Sequence, residues 1–561
     1  MRTLWTLTLL AMASIGLAQI HPKSFAKSAV VSDSALASEA GTKVMAEGGN
    51  AVDAAIATAF ALAVTFPEAG NIGGGGFMLV RMADGRAVAI DYREVAPKSA
   101  SRDMYLDAGG NVVPGMSTFG RKAAGVPGTV AGMWEAHSMY GKLPWKRLVQ
   151  PAIDLAGKGF PLSESRANEF RQEAARFKVF PDSYEIFNRK GNFFREGEVW
   201  KQPDLAKTLI RIRDQGREGF YGGETARLID ADSKKNNGHI YLSDLAGYKV
   251  AVREPVRGSY RGHNILTMPP PSSGGAVLIE MLNMMEHFDV AAAQPHSAAV
   301  LHPMVEAMKR AFADRSAHMG DPDFVRVPIR ELTAKSYGLK LWEMINPQKA
   351  TPSSEIKAGV FPIQEGEHTT HFSVVDGDGN CVSNTYTLNT SYGAHVVAEG
   401  TGILLNNEMD DFTSKVGVPN VFGLIQGEAN AIAPGKRPLS SMTPTIVLKE
   451  GKPFLVVGSP GGPTIINTVF QTILNVVDHK MTVQEAVAAP RIHHQWLPDE
   501  IRWEPRGLNP DTRAKMEAMG HKFAARPARM GSCHAILLDP ASGKRHAGVD
   551  PRLSESGAAG N

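Results

Sequence analysis

Along the chain, stretches with apolar residues three and four apart alternate with stretches in which apolar and polar residues take turns. These two periods separate helices from strands. The first predicts helices over 50–66, 128–140, 145–157, 205–215, 276–288, 298–318, 465–478 and 483–489. The helix over 50–66 is rich in alanine and stops at Pro67, which cannot continue it. The second predicts hairpins: 77–82 with 87–92, 371–375 with 381–388, 445–449 with 454–458, and a last one within 535–549. Residues 268–275 read as a loop that ends where a helix begins, and 346–366, rich in Pro, Ser and Gly, as an exposed connector. Antiparallel hairpins and helices in separate blocks imply an α+β fold with sheets layered between helices. No internal repeat is visible.

Composition changes this picture little. A chain of 561 residues can form two or three average domains, or one large body with a long insertion. With 43% hydrophobic residues, 21% charged and a net charge of +3, it is an ordinary folded protein without the basic excess of a nucleic-acid binder. Small-molecule partners are expected instead.

The first residues change it more. Arg2 precedes an apolar stretch over 4–17, and Gly16-Leu17-Ala18 places small residues where a signal peptidase reads, so residues 1–18 are expected to be a signal peptide cut after Ala18. The stretch is short for a membrane span of about 20 residues. No later run reaches that length; 54–66 reads as a buried helix. An exported protein without a membrane span is therefore expected, in the periplasm, with secretion as the alternative. Two cysteines, Cys381 and Cys533, either pair or fill the core, and neither belongs to a metal or redox pattern.

Several motifs invite chemistry and fail on their surroundings. The glycines at 73–76 lack the Lys and Ser/Thr of a phosphate loop and run into a strand, so they read as a tight turn allowing close backbone approach. The acidic run 376–380 is too short for a calcium loop and reads as a hairpin turn. His368, His371, His493 and His494 have no metal-site spacing. No metal or organic cofactor is expected.

Thr369 differs. It follows the connector and precedes a strand, so a cut before it would begin a strand with a free threonine. Such a residue carries a nucleophile and its own base, because an α-amino group titrates at about 7.7–8.0. Alone, Thr-Thr before a strand is ordinary β-propensity. Its company is not ordinary: DYRE at 91–94, MPPPSSGG at 268–275, TYTLN at 385–389, GILLNNEMDDF at 402–412, RPLSSM at 437–442 and GSPGG at 458–462. With these motifs, in this order and at these intervals from about Ala26 to Arg552, the chain closely resembles the γ-glutamyltranspeptidase family.

The resemblance implies an N-terminal-nucleophile hydrolase fold, a four-layer αββα sandwich with two stacked antiparallel sheets. It also implies a precursor that cuts itself into a large subunit (19–368) and a small subunit (369–561), which stay together as a heterodimer. Thr369 matches the nucleophile and Thr387 the residue that hydrogen-bonds it. Two residues apart on a strand, Thr387 and Asn389 are expected to face one site. Gly461 and Gly462 match the oxyanion pair. Arg93, Ser440 and Ser441 match the grip on a glutamyl α-carboxylate, where a planar guanidinium suits bidentate pairing. Asn389, Glu408 and Asp411 match the groups that hold the α-amino end. Phe422 departs from the family by standing where a lid tyrosine is often found, and Glu408 replaces the glutamine of some members.

The activity implied is removal of the γ-glutamyl group from glutathione and related amides, with transfer to water, amino acids or dipeptides. One alternative is a cephalosporin (glutaryl) acylase on the same scaffold. It leaves Asp411 without an ammonium to hold. Another is a non-catalytic exported binding protein, which would not cut itself.

Overall fold

The computed structural model describes residues 21–359, 370–425 and 428–561. The expected signal peptide, His368 and Thr369 lie outside them. The main strands are β1 (Lys23–Phe25), β2 (Ala29–Ser32), β3 (Gly75–Arg81), β4 (Ala87–Tyr92), β5 (Ala251–Arg253), β6 (Val256–Tyr260) and β7 (His263–Thr267). They continue with β8 (Thr370–Val375), β9 (Cys381–Thr387), β10 (Thr445–Lys449), β11 (Lys452–Gly458), β12 (His534–Leu538), β13 (Arg545–Gly548) and β14 (Gly557–Gly560). They form two seven-stranded sheets, β1-β13-β12-β11-β10-β7-β6 and β14-β2-β8-β9-β3-β4-β5. Neighbours pair antiparallel throughout.

Side-chain alternation along the strands builds the layers. Val31, Phe77, Leu79, Leu266, Ile446, Val456 and Ile536 point between the sheets and form one core. Their neighbours Val30, Met78, Val80, Phe372 and Val374 point the other way, toward helices α1 (Ala35–Ala46), α2 (Ala51–Thr65), α3 (Trp145–Lys158) and α4 (Pro203–Gln215). Ile265, Val447, Leu455 and Val457 meet α5 (Gly274–Met285), α6 (Ala298–His318), α7 (Thr464–Val477) and α8 (Val483–Ala488) on the far side. The result is the αββα sandwich, with both faces of each sheet dry.

Helix α2 illustrates the local logic. Asn50 accepts from the N–H groups of Val52 and Asp53 at 3.0 Å, and Asp53 accepts from that of Asn50 at 3.0 Å, a closed capping box before a helix buried on every side. The glycine run behaves as a close-approach turn, because a Cβ on Gly74 would meet the carbonyl of Thr387. The 376–380 segment is a hairpin turn in which Asp376 accepts from the N–H groups of Asp378 and Asn380.

The connector is exposed at 346–349, 352, 354, 355 and 357, as expected, but it is anchored at several points. Ala350 N–H donates to Met519 O at 2.7 Å, Ser353 Oγ to Asp499 at 2.7 Å, and Gly359 N–H to Asp314 at 2.6 Å. Ala350, Ser353 and Ile356 are buried. Residues 346–359 are thus pinned to α6 and the C-terminal region, because their polar backbone finds partners there; 360–366 lies outside the described residues. Cys381 and Cys533 are both free and buried, and burial pushes their thiols up to about 12 and about 11. Among the described residues, no helix is long and apolar enough to cross a membrane.

The two sheets interleave the chain before residue 369 with the chain after it. β2 lies between β14 and β8, and β3 pairs with β9. In the other sheet β10 to β13 sit between β1 on one side and β7 and β6 on the other.

Candidate active site

Thr370 opens β8 and lines a cavity of about 450 Å³ together with Asn389, Phe422, Gly461, Gly462, Arg529 and Ser532. Its Oγ donates to Asp33 at 2.8 Å. Asp33 also accepts from Ser532 Oγ at 2.8 Å and pairs with His534 Nε2 at 2.7 Å. One buried carboxylate beyond the end of β2 therefore fixes the start of β8 against the strand-12 region. Residue 369 is joined to Thr370 by one peptide bond, so the cavity lies at the start of the strand that Thr369 precedes.

Thr387 ends β9, and its Oγ accepts from the N–H of Asn389 at 2.8 Å. Asn389 has φ of +80°, so the strand does not continue to it. The expected relation by strand alternation is therefore corrected: a side-chain-capped turn couples the two residues. Asn389 Nδ2 donates to Asn407 O at 3.0 Å, while its Oδ1, buried at the cavity, has no hydrogen-bond partner among the described residues.

Gly461 and Gly462 lie between β11 and α7 with φ of +125° and +62°. A Cβ on Gly461 would stand 2.8 Å from Gly531 Cα and 2.6 Å from Thr464 Oγ1, so space as well as backbone conformation demands glycine. Neither amide N–H has a backbone acceptor among the described residues. Two uncommitted donors at the positive end of a 14-residue helix can receive an anion or a developing oxyanion.

The charged residues form a second group. Arg93, Glu94, Glu408 and Asp411 are all 0% exposed. Arg93 donates from Nη2 to Asp411 at 2.5 Å and to Leu439 O at 3.0 Å, and from Nε to Pro438 O at 3.1 Å. Nη1 meets Glu408, with Glu94 at 3.7 Å. Burial pushes the Glu94 and Asp411 carboxyls up to about 7 and Glu408 well above its ordinary range, against the pull of Arg93. Burial opposes the Arg93 charge too, but Glu408, Asp411 and Glu94 together hold it protonated. The sequence reading gave Arg93 and Asp411 to opposite ends of a ligand; here they hold each other. Glu94 was not singled out, although it stands in the same DYRE motif.

Ser440 and Ser441 follow Leu439 and are fully buried. Ser441 Oγ accepts from Arg315 Nη2 at 3.0 Å, and Ser440 Oγ from the N–H of Met442 at 3.1 Å. Arg315, on α6, also donates to Ser273 Oγ at 2.9 Å and braces this loop. Sequence reading missed both it and Asp33, since their partners Ser273, Ser441 and Thr370 lie 42, 126 and 337 residues away. Arg93, Glu408, Asp411, Ser440 and Ser441 do not line the 450 Å³ cavity; Asn389 links the two groups through Asn407, the residue before Glu408. His371 lies between the sheets, bound to Thr385 and Ser373, and burial keeps it neutral. No cluster of metal-binding side chains occurs among the described residues.

Comparison with known proteins places this geometry. The family described as Gamma-glutamyltranspeptidase matches residues 37–560. The chain is 48% identical over 543 residues to the glutathione hydrolase proenzyme of Escherichia coli, covering 96% of this chain and 93% of that protein. The crystal structure of cephalosporin acylase from Bacillus halodurans superposes with a TM-score of 0.86 at 27% identity, over 99% of both chains. That of Helicobacter pylori gamma-glutamyltranspeptidase gives 0.57 at 50% identity, over 58% of this chain and 93% of that one.

Proposed function

The chain belongs to the γ-glutamyltranspeptidase family, and from that membership we propose that it is a self-processed glutathione hydrolase and γ-glutamyl transferase whose nucleophile is Thr369. Its residues 1–18 direct export to the periplasm. Thr369 Oγ attacks the carbonyl of His368 and the peptide bond to the Thr369 nitrogen breaks, which frees the α-amine; water then hydrolyses the resulting ester, releasing the His368 carboxylate and restoring the Thr369 hydroxyl. Subunits 19–368 and 369–561 then remain one heterodimer.

In turnover the neutral α-amine of Thr369 takes the hydroxyl proton while Oγ attacks the γ-carbonyl of the donor. Gly461 and Gly462 receive the oxyanion, the proton passes to the leaving amine, and the C–N bond breaks. The γ-glutamyl ester then passes to water or to the amine of an amino acid or dipeptide. Thr387 orients the nucleophile. The observation that carries this reading is that two glycines with uncommitted N–H groups line the same cavity as Thr370.

Recognition follows from the buried charges. A donor bearing both α-carboxylate and α-ammonium can exchange partners with the Arg93–Asp411 pair: the carboxylate goes to Arg93, Ser440 and Ser441, and the ammonium to Asp411, Glu408 and Asn389. Each buried charge keeps an opposite partner, so the exchange avoids the several kcal/mol of an unpaired buried ion. Phe422 lines the cavity but offers no hydroxyl to close it. The likeness to a cephalosporin acylase supports a glutaryl acylase as a second reading; a glutaryl group would leave Asp411 unpaired.

Purified protein should run as two fragments on a denaturing gel and turn over a γ-glutamyl anilide. Thr369→Ala should run as one chain with no turnover. Two fragments from the Ala variant would falsify self-cleavage by Thr369.

A further inference from the structure

The catalytic cavity does not end at the glycine shelf. Glu68, Arg529 and Leu553 line it and also line a polar bay of about 370 Å³, whose other walls include Arg166, Glu169 and Glu555. The acids of this bay are already engaged. Arg166 donates to Glu169 at 2.5 Å and to Glu555 at 2.6 Å and lies 3.6 Å from Glu68, which also accepts from Ser391 at 3.0 Å. Burial pushes the Glu169 carboxyl up to about 8, so Glu68 and Glu555 against Arg166 still leave an excess of negative charge.

Arg529 is the exception. It is exposed and makes no hydrogen bond or ion pair among the described residues, although carboxylates line the same bay. The backbone on either side of it is held, however. Two residues on, Gly531 (φ +64°) packs against Ser459, Pro460 and Gly461, and Ser532 bonds Asp33, which holds the start of β8. A free guanidinium is thus tethered beside the oxyanion glycines, at the doorway between the two cavities.

We propose that Arg529 binds the terminal carboxylate of the peptide on the amine side of the scissile bond: the carboxylate of the departing dipeptide in glutathione and of the acceptor dipeptide in transfer. This inference rests on the functional reading above and adds a recognition residue outside the glutamyl headgroup. The charge pattern sets the orientation. The acids that share the bay repel a carboxylate everywhere but at Arg529, so that end is held there while the amine reaches the acyl carbon. Arginine suits this task because its planar fork pairs with a carboxylate through two parallel hydrogen bonds.

The test compares substrates with and without that carboxylate on the purified, processed enzyme. For Arg529→Gln, the loss in kcat/KM for glutathione should exceed the loss for a γ-glutamyl anilide by about tenfold. KM for glycylglycine as acceptor should rise by about as much more than KM for glycylglycinamide. Arg529→Lys should recover part of both differences. Equal effects on the substrates of each pair, the behaviour of a merely solvated surface arginine, would overturn this proposal while the functional reading stands. A wild-type protein that fails to turn over either donor would overturn both.

Discussion

The two halves of the candidate site differ in how ready they are. Around Gly461 and Gly462 the structure holds donors with nothing to donate to, beside an open cavity. Around Arg93 three buried carboxyls share one guanidinium, closed off from solvent, and burial holds all three above their ordinary range. On the proposed reading, the first region is preorganised for a charge that exists only during reaction. The second is a closed circuit that a ligand must enter by substitution. Rate and recognition are, on that reading, built by different means in one site, one by donors left free beside a cavity and the other by buried charges that share too few partners.

The sharpest way to break this comparison is at the shelf. Gly461→Ala puts a methyl against the backbone of Gly531, so the turn must open and its N–H retreat. A loss on the order of 10²–10³ in kcat is expected, with KM little changed. If the loss appeared wholly in KM, the shelf would be a binding surface and the contrast would collapse.

On the charged side, Asp411→Asn removes the proposed partner of the ammonium and keeps the shape. A loss of about 2 kcal/mol, roughly thirtyfold in kcat/KM, is expected for γ-glutamyl anilides. Glutaryl anilides, which carry no ammonium, should lose much less. Equal losses on the two donors would remove Asp411 from headgroup recognition.

Acidity sharpens the same point. Burial raises the Asp411 carboxyl to about 7, so it is ionised only above that pH. KM for a γ-glutamyl donor should therefore rise several-fold between pH 8 and pH 6. A flat profile over that range would mean that Asp411 keeps its charge by other means.

The last effect is one of stability and does not touch turnover. Glu94 is raised to about 7 in the fold, above its ordinary value near 4.5, so between these values the folded chain binds more protons than the unfolded one. Stability from this group is present at low pH and falls as pH rises through that window. Glu94→Gln should gain about 1–3 kcal/mol relative to wild type on going from pH 5 to pH 8, measured by denaturant unfolding. Parallel curves at the two pH values would contradict the placement of its proton.

Much of this was readable in the chain. Helices such as α2 and α6 and the hairpins β3–β4, β8–β9 and β10–β11 announce themselves because periodicity, turn residues and Pro67 agree. β1, β5 and β14 do not: each has three or four residues, and Gly557–Gly560 has no apolar alternation to detect. The site motifs single out Asn389, Gly461 and Gly462, which share one cavity, and Arg93, Glu408 and Asp411, which share one buried cluster, but not the pairing within them. Nothing in DYRE says that Arg93 will turn to Asp411, or that Glu94 will join it without water. Asp33 and Arg315 escape for a related reason. Their partners, Thr370 and Ser441, are distant in sequence, and only the folded sheets bring them near.

The weave of the sheets has a consequence for the molecule after its proposed cut. Because β2 sits between β14 and β8, and β9 hydrogen-bonds to β3, a break before residue 369 severs the chain without separating any layer. The fragments could part only by unzipping both sheets and opening all the cores at once, which is unfolding itself. Two differently tagged preparations, once mature, should therefore never trade halves on mixing. By the same logic, the halves made as separate polypeptides would each lack neighbouring strands, so the uncut chain serves as the assembly jig for its own mature form.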